Sequence, residues 1–285
     1  MSNTLYLLVG GEATRLKPLS EGIPKALLTV KHTPIIDLIL QNLQTAKFDE
    51  FKLVCSIKHQ EHWEKYKSTS KFEVELLFET QKLDTAGYIV QNIDQFEENF
   101  FCMNGDLLLE MNFEKFLDHV ESIPNSTICS VQVDNPSRFG VLHLDNDKVI
   151  NFIEKPDDLK YGNNISMGFY YIVKEDIVRI KESLPIPTSF EKDVFPALSQ
   201  NLLLNCYKVD GKMIDVGTID SYIYAHTAGD DNWIGDNVVI GSNPNIRNSI
   251  IFENCTIGSD VVITNSIIQK EKNVPDKTNL KNEIY

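Results

Sequence analysis

Two cations stand where a phosphate ester could be handled. The apolar run Leu5 to Val9 ends in Gly10-Gly11, followed by Glu12, Ala13, Thr14 and Arg15, with Lys25 further on. Glycines without Cβ let backbone N–H groups close on an anion, and Arg15 and Lys25 would supply the positive charge a triphosphate needs. Neither common phosphate loop is present: GxxxxGK[ST] is absent, and GGEATR does not fit GxGxxG. Asp106 follows Gly105 at the end of FFCMNGD, and Asp215 lies in DGKMIDVGT. Either aspartate alone reads as a turn residue. Phosphoryl-type transfer, however, needs carboxylates to hold Mg²⁺ against the charge of the transferring phosphate.

The elements that must position these groups alternate. Leu5–Val9 is too short for a helix and reads as a buried strand leading into a turn. Residues 34–46 space apolar side chains at the helical period, 51–57 read as a strand, 59–67 as a helix and 74–79 as a strand. This alternation argues for a parallel, doubly wound sheet, with ligands beyond the carboxyl ends of its strands. Residues 126–156 are strand-like in three pieces, and Ser189 precedes a short helix with the flavour of a capping box. From Trp233 the period changes to six: Ile234, Ile240, Ile246 and, after a one-residue slip, Ile251, Ile257, Ile263. That is the hexapeptide rule of a parallel β-helix. At about 18 residues per coil it gives a little over two coils between Trp233 and Val274. So short a solenoid exposes its ends and is expected to be capped or paired in a homo-oligomer. Residues 276–285 read as a loose polar tail.

GGEATRLKPLS followed by IPKALL resembles the signature of the sugar-1-phosphate nucleotidyltransferases, GGxGTRLxPLT…PKPLLPV. Ala13 replaces the third glycine, where it would crowd the phosphate loop, and Ala26 replaces a proline. Further matches run in order to residue 226. ETQKLDTAG (79–87) resembles ExxxLGTAG, EKP (154–156) and NISMGFY (164–170) resemble the sugar-side elements, and MIDVGTID resembles GxWxDxGTPxDY. The resemblance implies a Rossmann-like, doubly wound mixed α/β sheet of the nucleotide-diphospho-sugar transferase type with a short C-terminal left-handed parallel β-helix. The expected division is catalytic domain 1–228, β-helix 229–275 and tail 276–285. It implies nucleotide contacts from Val9, Gly10, Gly11, Glu12, Ala13, Thr14, Arg15, Lys25, Gln81, Asp84, Thr85 and Gly105. Sugar-phosphate contacts would come from Gly140, Glu154, Lys155, Ser166 and Gly168, with Mg²⁺ on Asp106 and Asp215. Arg15, Lys25 and Lys155 would be catalytic. The Asp84 carboxylate stands where the family has glycine, and would either accept from guanine N1–H and N2–H₂ or point to solvent.

The activity so implied is transfer of a nucleoside monophosphate from an NTP to a sugar-1-phosphate. SFEKDVFP and the LVGG opening are most like the mannose-1-phosphate guanylyltransferase branch, so GTP is favoured. A UDP-, dTDP- or CDP-sugar enzyme, a manno-heptose phosphate substrate and a non-catalytic nucleotide-sugar-binding regulator stay open, the last supported by drift at Ala13, Asp84, Ser166 and Met213. An acyltransferase working through the β-helix lacks a suitably placed His. With 41 acidic against 27 basic residues, a net charge of −14 argues against nucleic acid or an anionic membrane. There is no 18-residue apolar run. The five scattered cysteines lack CxxC pairs and read as reduced thiols of a cytoplasmic protein.

Overall fold

A computed structural model describes residues 3–158 and 160–285. The chain divides into two compact units, 1–10 with 39–213 and 11–38 with 214–285. The first unit is built on a mixed sheet that, among the described residues, has nine strands. They are β1 (Thr4–Leu8), β2 (Glu50–Ser56), β3 (Glu75–Glu79), β4 (Asn99–Asn104), β5 (Ser126–Gln132), β6 (Gly140–Asp145), β7 (Lys148–Glu154), β8 (Asn164–Val173) and β9 (Leu204–Lys208). Their spatial order is β3-β2-β1-β4-β8-β5-β9-β7-β6. The β3-β2-β1-β4 half is parallel, as the strand–helix alternation predicts. The sheet turns mixed at β8, which is antiparallel to both β4 and β5. Its core joins Tyr6, Phe100, Tyr170, Phe190 and Phe195, all at most 2% exposed.

The predicted strands lie within a few residues of their expected bounds, and the helices expected at 34–46 and 59–67 run over Ile35–Leu43 and Gln60–Thr69. The chain after Ser189 is helical over Phe190–Val194 and Phe195–Gln200, and a further helix spans Asp84–Gln91. The five cysteines are buried and free. No helix among the described residues is long and apolar enough to cross a membrane.

In the second unit the C-terminal segment is a left-handed parallel β-helix, with two corrections to the expected repeat. Each coil has 17 residues rather than 18: Asn232 pairs with Ser249, Val239 with Thr256 and then Asn273, Asn245 with Val262 and then Asn279. The one-residue slip between Ile246 and Ile251 is therefore one side of every coil shortened to five residues, not an interruption. The last ten residues, expected as a loose tail, complete the third coil. Asn279–Lys281 pairs with Val262–Thr264, Ile284 bridges to Ile267, and Leu280 continues the inner row of Ile246 and Ile263. The tail looks polar because only one residue in each side points inward, while corners and outer positions stay wet. The corners are held by residues with positive φ, among them Asn248, Asn265 and Asn282 at 45°, 48° and 57°. Asn and Asp tolerate this left-handed region better than other non-glycine residues, and here Asn248 and Asn282 bridge through Asn265, with N···O distances of 2.8 Å.

The helix Ile219–Thr227 packs on this β-helix through rings. His226 lies 4.6 Å from Tyr222, 5.2 Å from Trp233 and 5.7 Å from Phe252 between ring centres. His32 closes the cluster with an edge contact to Trp233 and a 3.0 Å contact to Glu253. The Tyr222 hydroxyl donates to the Thr29 carbonyl. The glycine-rich segment is thereby tied to the solenoid.

His226 is fully buried, its Nδ1 2.9 Å from the Tyr222 carbonyl and its Nε2 without a hydrogen-bond partner. Burial lowers its pKa to about 4 from an ordinary 6.5. A depressed folded-state pKa means that the unfolded chain takes the proton first, so stability is full above pH 6.5 and is lost as pH falls toward 4. The loss at pH 4 should be at most about 3 kcal/mol. His226→Phe should flatten denaturation midpoints between pH 7 and 5; an equally steep fall in the variant would show that other groups carry the effect.

Candidate active site

In the second unit, three of the predicted charges converge. The loop from Gly11 makes a single 3₁₀ turn at Thr14–Leu16 and another at Lys25–Leu27. Lys25 is 7% exposed, and its Nζ lies 3.3 Å from Asp215 Oδ1. A buried ammonium is rarely tolerated without a countercharge. A Cβ built on Gly217 would fall 2.7 Å from Asp215 Oδ1, 3.0 Å from Lys25 Nζ and 3.1 Å from Arg15 Nη2. Gly217 therefore marks the point that two cations and one carboxylate approach together. Sequence reasoning gives Gly217 no role of its own; the signal that could have found it is its place two residues after Asp215.

Gly11 behaves differently. It is exposed, no atom lies within 4 Å of the position a Cβ would take, and its φ is not left-handed. No other residue among the described ones demands a glycine there. Ala13 does not crowd the loop backbone: its φ of −81° is open to any residue, and its carbonyl accepts from Ser20 Oγ at 2.6 Å. Glu12 and Thr14 are exposed beside it.

In the first unit several of the remaining predicted residues sit at the ends of strands. Val9 donates its N–H to Val54 and packs against Gly105, where a Cβ would meet Val9 Cγ1. Asp106 follows, half-buried. Gly10 has the Glu79 carboxyl against it, 2.7 Å from where a Cβ would be, and burial raises the Glu79 pKa.

Past β3, Gln81 is exposed and Asp84 opens the helix Asp84–Gln91 with φ 65°, the left-handed conformation that explains the family's glycine. Its Oδ1 accepts from the Thr85 N–H at 2.9 Å. The Thr85 hydroxyl is itself occupied, accepting from Phe190 N at 2.9 Å and donating to Glu191 Oε2 at 2.8 Å.

The sugar-side residues also gather round unusual backbone. Lys155 leaves β7 with φ 49°, its N–H donated to the Phe139 carbonyl and its Nζ 2.7 Å from Glu154 Oε1. A side chain on Gly140 would collide with Phe152 and come within 3.1 Å of Glu154 Oε2. Gly168, at φ 68°, sits in a bulge of β8, and the Ser166 hydroxyl accepts its N–H at 3.2 Å. Ser166 thus supports the bulge from within.

Hard-oxygen donors are what Mg²⁺ takes, usually one or two carboxylates completed by substrate phosphates. Asp106 and Asp215 are both partly exposed carboxylates and fit that donor chemistry. Among the described residues no cluster of three or more His, Cys, Asp or Glu forms a closed protein cage.

Two glycine substitutions separate fold from site. If the glycine loop is a triphosphate site, Gly11→Ala should leave the melting temperature unchanged while weakening triphosphate binding about ten- to a hundredfold, as expected for losing a hydrogen bond to a charged group. Gly217→Ala should displace the convergent charges and cost turnover on the order of a hundredfold. Titration calorimetry and turnover assays check both; wild-type values in either variant would detach that glycine from ligand handling. Lys155→Gly should keep stability within about 1 kcal/mol, because relief of left-handed strain offsets added chain entropy. Turnover should nevertheless fall about tenfold or more through loss of a charged contact, measured beside a urea melt.

Residues 6–232 match the family model described as nucleotidyl transferase, and residues 214–283 match the GlmU-like C-terminal hexapeptide model. The mannose-1-phosphate guanylyltransferase catalytic subunit beta of Drosophila pseudoobscura pseudoobscura is 33% identical over 219 residues, 74% of this chain and 58% of the relative. The mannose-1-phosphate guanyltransferase of Saccharomyces cerevisiae is 31% identical over 223 residues, 74% of this chain and 60% of the relative. The chain thus spans less than two thirds of the length of these relatives. Among solved structures, HddC from Yersinia pseudotuberculosis superposes with a TM-score of 0.66 at 26% identity, covering 79% of this chain and 98% of that one. The same protein has been solved in complex with GMP-PN. The match over residues 6–232 shows that the chain belongs to the nucleotidyl transferase family.

Proposed function

We propose that the chain joins a nucleoside monophosphate from an NTP to a sugar-1-phosphate, forming an NDP-sugar and pyrophosphate. GTP and mannose-1-phosphate are the favoured pair. The carrying observation is the approach of Arg15, Lys25 and Asp215 to one point beside Gly217, following an open glycine loop. The choice of GTP and mannose-1-phosphate is supported by the names of the relatives and by the GMP-PN complex of HddC.

In the proposed reaction an oxygen of the sugar phosphate attacks the α-phosphorus of the NTP. The bond from the α-phosphorus to the bridging oxygen breaks, and pyrophosphate leaves with the electron pair. A phosphate oxygen is already ionised at neutral pH, so no general base is required. The chain's work is alignment and charge neutralisation. Arg15 and Lys25 hold the triphosphate at the Gly11 loop, and Lys155 holds the attacking phosphate, releasing Glu154 toward the sugar hydroxyls. Asp106 and Asp215 are the residues that would hold Mg²⁺, which when bound would neutralise phosphate charge. The Asp84 carboxylate retains one oxygen for a base after capping Thr85. A homo-oligomer belongs to this reading, supported by the first coil, whose inward Ile234 is 47% exposed while Ile251 and Ile268 below it are buried. The free, buried thiols support a cytoplasmic location.

The test is pyrophosphate release with Mg²⁺, crossing GTP, dTTP, UTP, CTP and ATP with mannose-, glucose- and N-acetylglucosamine-1-phosphate. GTP with mannose-1-phosphate should dominate, and another dominant pair would overturn the substrate assignment. Silence across the grid with a nucleotide-sugar thermal shift would favour the regulator. Asp106→Asn and Asp215→Asn should each lower turnover at least about a hundredfold with the fold intact, as loss of several kcal/mol of charge stabilisation implies. Full activity in either variant would remove that aspartate from metal binding.

A further inference from the structure

The segment after Ser189 makes a turn of π-helix, Phe190–Val194, closed by a Val194 N–H to Ser189 carbonyl bond of 3.1 Å. Such turns are rare and concentrate at functional sites. This one reaches across to residues 83–86. Thr188 donates its N–H to the Leu83 carbonyl and accepts from the Ala86 N–H, both at 3.0 Å. The two backbone bonds bracket Asp84, the residue in the left-handed region. Side chains complete the bracket. Glu191 Oε2 accepts from Thr85 Oγ1 at 2.8 Å and from Ser189 Oγ at 2.9 Å, while Thr85 Oγ1 accepts from Phe190 N at 2.9 Å. Asp193 Oδ2 ties down the other side by accepting the Ser189 N–H at 2.7 Å.

A non-glycine residue in the left-handed region is strained and persists only where the surroundings over-determine it. Here the surroundings are this clamp. A relaxed Asp84 would swing its carboxylate off the Thr85 N–H and shift the exposed Gln81 before it.

We infer that Glu191 is a positioning residue for the nucleotide. Through Thr85 it locks the 83–86 turn, so that Asp84 and Gln81 are presented to the base in one fixed geometry. This rests on the proposed NTP-dependent activity. Glu191 touches no substrate in this scheme; it acts only through Thr85 and the π-turn.

The test combines exchange, binding and kinetics on the full chain. Without nucleotide, amide hydrogen exchange over residues 83–88 should speed up about five- to tenfold in Glu191→Ala, the loss expected for one clamp hydrogen bond, and stay near wild type in Glu191→Gln, whose amide oxygen still accepts. With GTP as probe, Glu191→Ala should raise KM by a similar factor of about five to ten while kcat changes little. In an Asp84→Gly background, which has no left-handed penalty, the same Glu191→Ala change should lose most of its effect on KM. Unchanged exchange in Glu191→Ala overturns the clamp whatever the nucleotide data show. A kcat loss with constant KM, or an undiminished KM effect in the Asp84→Gly background, overturns the positioning role. Absence of binding of all five NTPs to wild type, with exchange responding as expected, overturns the nucleotide reading and the role built on it while leaving the clamp itself standing.

Discussion

The pairing of Lys25 with Asp215 governs the second unit. A lysine ammonium that is 7% exposed carries a heavy desolvation cost unless a carboxylate meets it. Asp215 does so at 3.3 Å, from the other end of the sequence. The pair joins the glycine loop to the segment that runs through Gly217 into the helix Ile219–Thr227. That helix begins with a reciprocal cap between Thr218 and Ser221 and is packed by Tyr222 and His226 against the β-helix. The solenoid is therefore part of how the loop is held, because His32 and Thr29 of the loop segment bond to Glu253 and Tyr222.

Left-handed backbone occurs at three of the motif positions. Asp84, Lys155 and Gly168 have φ of 65°, 49° and 68°, and each is braced by its surroundings. Thr188 brackets Asp84, the Phe139 carbonyl holds Lys155, and the Ser166 hydroxyl supports Gly168. In the β-helix the same conformation has a purely structural use. There the left-handed residues turn corners, repeat every 17 residues, and stack Asn on Asn from coil to coil. One backbone state thus serves two ends, and the neighbours decide which.

Three of the apparent departures from the family pattern have separate explanations. Ala13 sits at a φ that needs no glycine, so the extra methyl is absorbed by the core. Ser166 contributes a hydroxyl that the bulge uses. Asp84 alone accepts a strained conformation, and its carboxylate accepts the N–H of Thr85. None of these changes removes a charge from the loop or from the strand ends, which weakens the reading of the chain as a regulator without chemistry.

Local pattern was enough to read the parallel strands, the glycine loop with Arg15 and Lys25, the aspartates after β4 and before Gly217, and the hexapeptide rows. These are written in contiguous stretches, where periodicity, turn residues and apolar runs report on the backbone directly. ETQKLDTAG and SFEKDVFP were legible too, but as separate motifs. Only folding showed that Thr85 and Glu191 bond to each other, because contacts across such a distance leave no periodic trace. The shortened side of each coil and the folding of residues 276–285 into the third coil were hidden for another reason. A solenoid side needs just one inward residue, so Leu280 among polar neighbours looks like tail until its partners Ile246 and Ile263 are stacked in register. What tertiary structure decided was which polar groups are spent on one another and which stay available, since hydrogen-bond and ion-pair partners are chosen in space.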